Sequence, residues 1–231
     1  MNNIAIIPAR KNSKRIKNKN LIIFNKKPII LNAIDQAINS KLFSKVIIST
    51  DSIKIKNLSI KNCAEVPFLR PKKLSGDFVN TLDVVKHTIN YLLKRKIRFD
   101  NVCCIYPVTP FLDSSILNKS FNFFKKDSDK FLISVHKSPV VIKRAFNIEN
   151  KEIKLIKKNN YTKNTQKFND VYFDAAQFYW GKASKWLSVK KIINNNVNTF
   201  EIPYFKSIDI DNKEDLEMAR LIYRGIYNTY K

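Results

Sequence analysis

Ile4-Ala5-Ile6-Ile7-Pro8-Ala9-Arg10-Lys11-Asn12-Ser13-Lys14-Arg15-Ile16-Lys17-Asn18-Lys19-Asn20 joins a short apolar run of strand type to a loop carrying Arg10, Lys11, Lys14, Arg15, Lys17 and Lys19. A buried strand that hands over to a cationic, hydroxyl-bearing loop suits a polyphosphate, because ammonium, guanidinium and backbone N–H groups together neutralise and orient its oxygens. The spacing is not that of the P-loop, which needs a glycine-rich turn ending Gly-Lys-Ser/Thr before a helix. The competing reading is a basic surface loop with no ligand.

Further short runs rich in Ile and Val follow at 45–49, 64–69, 101–106 and 131–135, with helical spacing between them at 28–39, 52–62, 79–94 and 113–126. Pro28 suits the first turn of the first helix and Asp51 the cap of the second. This rhythm predicts an α/β fold, a mostly parallel sheet with helices on both faces. Ligands of such sheets sit at the carboxyl ends of the strands, and Arg10, Asp51 and Thr109 all follow strand ends. After residue 137 the rhythm changes. Residues 140–156 read as a hairpin around Ile148-Glu149-Asn150-Lys151, and 157–167 as a polar, mobile or partner-ordered loop. A strand is expected at 171–180, a helix at 182–194, a strand at 199–203 and a final helix at 212–229. We expect one domain over 1–231 with an excursion at about 138–170.

The chain has 231 residues, 44% apolar and 27% charged, as in ordinary soluble globular proteins. No apolar run approaches a membrane span and no signal-peptide core precedes the first strand, so a cytoplasmic protein is expected. Three cysteines (Cys63, Cys103, Cys104) are expected to be buried, reduced thiols, and the two histidines have no zinc-ligand spacing to them. The formal charge of +24 invites a nucleic-acid or anionic-membrane reading. The lysines are dispersed over nearly every segment, however, so codon bias accounts for them better than a binding stripe.

Ser207-Ile208-Asp209-Ile210-Asp211 is the second informative stretch. In an extended segment Asp209 and Asp211 share one face while Ile208 and Ile210 enter the core. Carboxylates about 6–7 Å apart along a strand edge can hold one Mg²⁺ directly or through water. Asp211 also reads as the N-cap of the last helix, with Glu214 completing a capping box. No such alternative explains Asp209, which would be costly beside a core strand without a partner.

The opening stretch resembles the signature Ala-Arg-x-x-Ser-Lys-x-x-x-x-Lys-Asn of the sugar-acid cytidylyltransferases, the enzymes that make CMP-sialic acids, and Asp209-Ile210-Asp211 resembles their metal-binding pair. Ser49-Thr50-Asp51, Glu65-Val66-Pro67-Phe68-Leu69-Arg70-Pro71 and Tyr106-Pro107-Val108-Thr109-Pro110-Phe111 match in order between them. Pro139-Val140-Val141-Ile142-Lys143-Arg144-Ala145-Phe146 and Tyr172-Phe173-Asp174-Ala175-Ala176-Gln177-Phe178-Tyr179-Trp180-Gly181 look like the pseudaminic acid subgroup. The resemblance implies a Rossmann-like nucleotidyltransferase fold, transfer of CMP from CTP to a nine-carbon 2-keto sugar acid, Mg²⁺ on Asp209 and Asp211, and a homodimer made through the hairpin excursion. It further implies that Arg10, Ser13, Lys14 and Lys19 hold the triphosphate and that Asn20 places the nucleotide. Arg70 would contact the cytosine, and Asp77 and Thr81 would face the nucleotide. Thr109, Lys143, Arg144 and Gln177 would serve the sugar. Arg70 reads alternatively as a surface ion pair, and 172–180 as a core strand with an aromatic face.

Two departures stand out: Lys11-Asn12 where many relatives have Gly-Gly, and Ala176 where the subgroup has glycine. Asparagine tolerates left-handed geometry, so the loop is expected to survive. If residue 176 needs positive φ or close ligand approach, alanine there would weaken sugar binding. The alternatives are a CMP-transferase for N-acetylneuraminic, legionaminic or 3-deoxy-manno-octulosonic acid, an inactive relative acting as a binding module, and a basic nucleic-acid-binding protein.

Overall fold

The opening apolar run forms β1 (Asn3–Pro8), inside a six-stranded sheet; the structure is a computed structural model and describes residues 2–227. The cationic loop leads to two short strands, β2 (Ile23–Phe24) and β3 (Lys27–Pro28), then α1 (Ile30–Asn39), β4 (Lys45–Ser49) and α2 (Ile53–Lys61). Next come α3 (Thr81–Lys94), β5 (Asn101–Ile105), α4 (Ser114–Phe124) and β6 (Phe131–Lys137). A solvent-exposed hairpin of β7 (Phe146–Glu149) and β8 (Glu152–Leu155) follows, then β9 (Tyr172–Lys182), α5 (Ala183–Ser188), β10 (Val197–Glu201) and α6 (Lys213–Tyr227).

The sheet order is β10-β6-β9-β5-β1-β4. β4, β1 and β5 pair in parallel, as do β6 and β10, while β9 alone runs against both of its neighbours. The expected mostly parallel α/β sheet is therefore present. Its one reversed strand was not legible, because side-chain periodicity carries no strand direction.

Both faces of the sheet are covered, and the alternation of side chains along the strands shows it. Ala5, Ile7, Cys103 and Ile105 pack with Ile34 of α1, Ile55 of α2 and Phe121 of α4. Ile4, Ile6, Val102 and Cys104 pack on the other face with Val85 and Ile89 of α3 and Trp186 of α5. A third cluster, including Ile16, Phe24, Phe111, Ile210 and Leu216, seats α6 against the loop end of the molecule. Gly181 marks the tightest approach in β9: a Cβ there would meet the Phe131 ring at 2.5 Å.

Several local expectations shift. Residues 64–69 make no ladder strand but two isolated parallel bridges to the β4 edge, Ile47 to Glu65 and Thr50 to Leu69; Pro67, with no N–H, interrupts the pairing. Pro28 lies in β3, after Asn25 and Lys26 turn the β2–β3 hairpin with φ 45° and 66°, rather than in the first turn of α1. Ser52, not Asp51, caps α2, accepting from Ile55 N at 3.3 Å. The 182–194 helix stops at Ser188, where Val189 turns extended. Cys63 is exposed, whereas Cys103 and Cys104 are buried with thiol pKa values raised by that burial. The hairpin turns at Asn150-Lys151, both at positive φ (51° and 68°), the geometry of a two-residue I′ turn. The 157–167 segment folds back as two 3₁₀ turns, with Asn160 Nδ2 donating to Lys143 O at 2.7 Å. Residues 228 and 229 of the expected last helix lie outside the described residues.

Candidate active site

A cleft of about 600 Å³ opens where β1 and β5 end and the cationic loop begins. Arg10, Ser13, Lys14, Lys19, Asn20, Arg70, Asp77, Thr81, Asp209 and Asp211, drawn from three separate stretches of sequence, all line it. The loop is anchored from below. Ala9 N donates to Ser49 O at 2.9 Å, Lys11 N to Asp51 Oδ1 at 2.6 Å, and Asn20 Nδ2 to Arg10 O at 2.8 Å. The backbone just after Arg10 is thus tied to Asp51 at the sheet rim. The left-handed residue of the loop is Asn18 (φ 54°), not Lys11 or Asn12, so the missing Gly-Gly costs no backbone strain.

Charge in the cleft is arranged in two brackets. Asp77 accepts from Arg10 Nη1 at 2.7 Å through one oxygen and pairs with Lys14 Nζ at 2.8 Å through the other. Hydrogen bonding from Lys14, with Arg10 adding to it, holds the Asp77 carboxyl below the usual range. On the other side Lys19 Nζ lies 3.0 Å from Asp211 Oδ1 and 3.6 Å from Asp209 Oδ1, while Arg15 Nη1 reaches Asp211 Oδ2 at 2.7 Å. Arg15 carried no assigned role in the sequence; its place five residues after Arg10 in the signature loop was the available signal.

Asp209 and Asp211 sit on an extended segment with no strand partner, preceded by a 3₁₀ turn at Tyr204–Lys206. Ile210 between them is fully buried, so the alternation holds. The helix cap falls one residue later than expected. Asn212 Oδ1 accepts from Asp215 N at 2.9 Å, and Asp215 Oδ2 accepts from Asp211 N and Asn212 N, so Asn212 and Asp215 replace Asp211 and Glu214 in the capping box. The Asp211 carboxylate is thereby left to the cleft. Desolvation raises the Asp209 pKa, with Asp211 adding repulsion and Lys19 opposing both. Two carboxylates converging on one cationic centre fit a divalent ion. Among the described residues no cluster of three or more His, Cys, Asp or Glu is arranged for a metal. An ion here would complete its shell with ligand oxygens and water, as Mg²⁺ does at phosphate sites.

Arg70 is 6% exposed and has no carboxylate partner at salt-bridge distance among the described residues; Nη2 donates to Ser49 O at 3.0 Å and Nε has no partner among them. Burial lowers its pKa, Asp51 opposing and Arg10 contributing. A buried guanidinium with a spare donor is not a surface ion pair. Thr81 Oγ1 and the Tyr106 hydroxyl are 3.0 Å apart on the cleft wall, and burial pushes the Tyr106 pKa up to about 12.

Four expected sugar ligands do not line this cleft. Thr109 is fully buried and its hydroxyl donates to Tyr106 O at 3.2 Å, a turn-closing role. Gln177 is 2% exposed, within β9, although its Oε1 has no partner among the described residues. Lys143 and Arg144 form a 3₁₀ turn in the excursion, where Lys143 lies over the Phe168 ring and Arg144 donates to Lys163 O. Ala176 does line the cleft, and it takes φ 47°. The position does call for positive φ, and alanine holds it at a cost of about 1–2 kcal/mol. Ala176→Gly is expected to raise stability by about 1 kcal/mol, near 3 °C in a thermal melt, after the entropy of the added glycine is charged. A lower melting temperature would contradict the strained assignment.

A doubly covered sheet with a polyphosphate-sized, cation-lined cleft at its carboxyl rim defines a nucleotidyltransferase-like α/β protein. A sequence model described as cytidylyltransferase matches residues 4–224, and the chain belongs to that family. It is 36% identical over 225 residues to a pseudaminic acid cytidylyltransferase of Campylobacter jejuni, covering 97% of each chain. Identity to an N-acylneuraminate cytidylyltransferase of Escherichia coli is 24%, over 94% of this chain and 51% of that one. A solved CMP:2-keto-3-deoxy-manno-octonic acid synthetase complexed with CTP shares the fold, with a TM-score of 0.72 over 98% of this chain and 100% of its own at 14% identity. The protein is a CTP-dependent nucleotidyltransferase.

Proposed function

We propose that this chain transfers CMP from CTP to the anomeric hydroxyl of pseudaminic acid, releasing pyrophosphate. The observation that carries the reading is the single cleft in which Arg10, Lys14 and Lys19 meet Asp209, Asp211 and the orphan donor of Arg70. The choice of acceptor rests on the full-length likeness to the C. jejuni relative.

Arg10, Ser13, Lys14 and Lys19 hold the triphosphate and offset charge on the departing pyrophosphate, and Asn20 fixes the loop that carries them. Arg70 donates to the O2 and N3 acceptors of cytosine, which the N3–H of uracil would refuse. Asp209 and Asp211 would hold a divalent ion such as Mg²⁺, which would supply Lewis-acid stabilisation of the phosphate charge when bound. No protein nucleophile is required, because positioning and electrostatics carry most of such a transfer. A homodimer in the cytoplasm completes the reading. Phe146 and Leu155, like Ile148 and Ile153, face each other across the exposed hairpin, an apolar surface suited to a second copy. That copy would bring Lys143 and Arg144 to a cleft they do not line within one chain. Among the described residues no helix is long and apolar enough to cross a membrane. We propose no specific nucleic-acid partner.

The test is a ³¹P NMR time course with CTP, Mg²⁺ and pseudaminic acid. The CTP signals are expected to give way to a phosphodiester and pyrophosphate; CTP left intact by folded protein would refute the function. Asp77 supplies a second prediction. Its carboxylate occupies both Arg10 and Lys14, so incoming phosphate must displace it. Asp77→Asn is expected to tighten CTP binding about 5-fold, the scale of two half-exposed ion pairs. Calorimetry showing weaker binding would make Asp77 a ligand instead.

A further inference from the structure

Strand β9 carries an irregularity that shapes the cleft. Ile133 of β6 faces Tyr179, but Val135 faces Asp174, so Ser134 alone stands opposite the four residues 175–178. The far side of this bulge is closed by Ser134 Oγ, which accepts from Gln177 N at 3.1 Å and Phe178 N at 3.2 Å. Asp174 closes the near side. Its Oδ1 accepts from Ala176 N at 2.9 Å and its Oδ2 accepts from the Tyr179 hydroxyl.

Both partners of Asp174 lead to the cleft. Ala176, in the left-handed region, is itself part of the wall. The Tyr179 ring meets Tyr106 edge-on with centroids 5.5 Å apart, and Tyr106 in turn bonds Thr81 at the start of α3. Tyr106 N donates to Gln177 O at 2.9 Å, so the bulge and the end of β5 are fixed to each other as well. Asp174 does not line the cleft, yet a backbone amide and a buried phenol that shape it both end on its two oxygens. Only an ionised carboxylate offers an acceptor at each end; an asparagine side chain offers one acceptor and one donor.

We propose that Asp174 is a positioning residue: it clamps the β9 bulge so that residue 176 stays in left-handed geometry against the cleft, setting the wall that receives the sugar acid. The part of this that concerns the acceptor rests on the function proposed above. The clamp matters because alanine does not choose that conformation by itself. Glycine at 176 would adopt it freely, which makes the inference separable from a plain packing role for Asp174.

The experiment is a double-mutant cycle in the full chain, with Asp174→Ala and Ala176→Gly alone and together, reading the acceptor KM, kcat and, by calorimetry, the CTP Kd. Asp174→Ala is expected to raise the acceptor KM about 10-fold while leaving the CTP Kd within about twofold, and Ala176→Gly is expected to restore most of that loss. Equal losses in both backgrounds would reduce Asp174 to a structural hydrogen bond and overturn the proposal. Asp174→Asn, which keeps one acceptor, takes the place of Asp174→Ala in the cycle if the alanine variant does not fold. Amide exchange at residue 176, followed by NMR, tests the clamp without any turnover. Faster exchange in Asp174→Ala supports it and unchanged exchange overturns it. If the parent chain shows no turnover with any sugar acid, the proposed function fails, and the exchange measurement still decides the clamp.

Discussion

Asp211→Ala is expected to lower turnover by at least about 10³-fold while leaving the melting temperature within about 3 °C of the parent. The first figure follows from the function proposed above, in which the carboxylate that shares Lys19 with Asp209 would be half of the ligand pair for the divalent ion. The second follows from the shifted cap. Asn212 and Asp215 hold the first turn of α6, so removing the Asp211 side chain leaves that helix start intact. What is lost is a pair of partly exposed ion contacts with Lys19 and Arg15, worth little in water. A steady-state assay beside a thermal melt separates the two. Turnover within about tenfold of the parent would remove Asp211 from the chemistry, and a much larger drop in melting temperature would restore it to a capping role.

Arg70→Ala carries the other large effect, on affinity and base choice. The guanidinium is buried and one of its donors is unpaired among the described residues, so it already bears the desolvation that an acceptor would relieve. Folding depends on it weakly: Ser49 O, its acceptor, also accepts from Ala9 N, so its loss orphans no carbonyl. If Arg70 reads cytosine as proposed, losing its two charge-assisted bonds should lower kcat/KM for CTP about 10²- to 10³-fold. The preference for CTP over UTP should shrink to within about tenfold. Retained discrimination in the variant, measured by pyrophosphate release from each nucleotide, would show that other groups read the base.

The sheet and the cationic side of the cleft were legible because their signals are local and ungapped. Ile4–Ile7 leads without interruption into Arg10–Asn20, and the alternation of Asp209-Ile210-Asp211 survives even where no strand partner exists. Element ends were less legible for equally local reasons. Asp211 and Asn212 are both good caps, and which one is used depends on Asp215 reaching back, a choice made by the chain's path. The direction of β9 and the bulge opposite Ser134 are tertiary facts with no periodic signature. Even so, alanine in place of a family glycine flagged residue 176, and its φ of 47° shows why. Asp174 was hidden in the same segment because its partners are a backbone amide and a phenol brought to it by the bulge. Thr109 and Gln177, which do not line the cleft, show the limit of transfer by resemblance within one chain. A matching position places a residue in the fold, but whether its side chain turns to the cleft is decided by packing, as with the inward hydroxyl of Thr109.

The most direct test of the account is the initial rate of pyrophosphate release from CTP and Mg²⁺ with pseudaminic acid and with N-acetylneuraminic acid in parallel, at equal enzyme and acceptor concentrations. Rapid release with pseudaminic acid and little with N-acetylneuraminic acid is the expected result. Release with N-acetylneuraminic acid alone would contradict it.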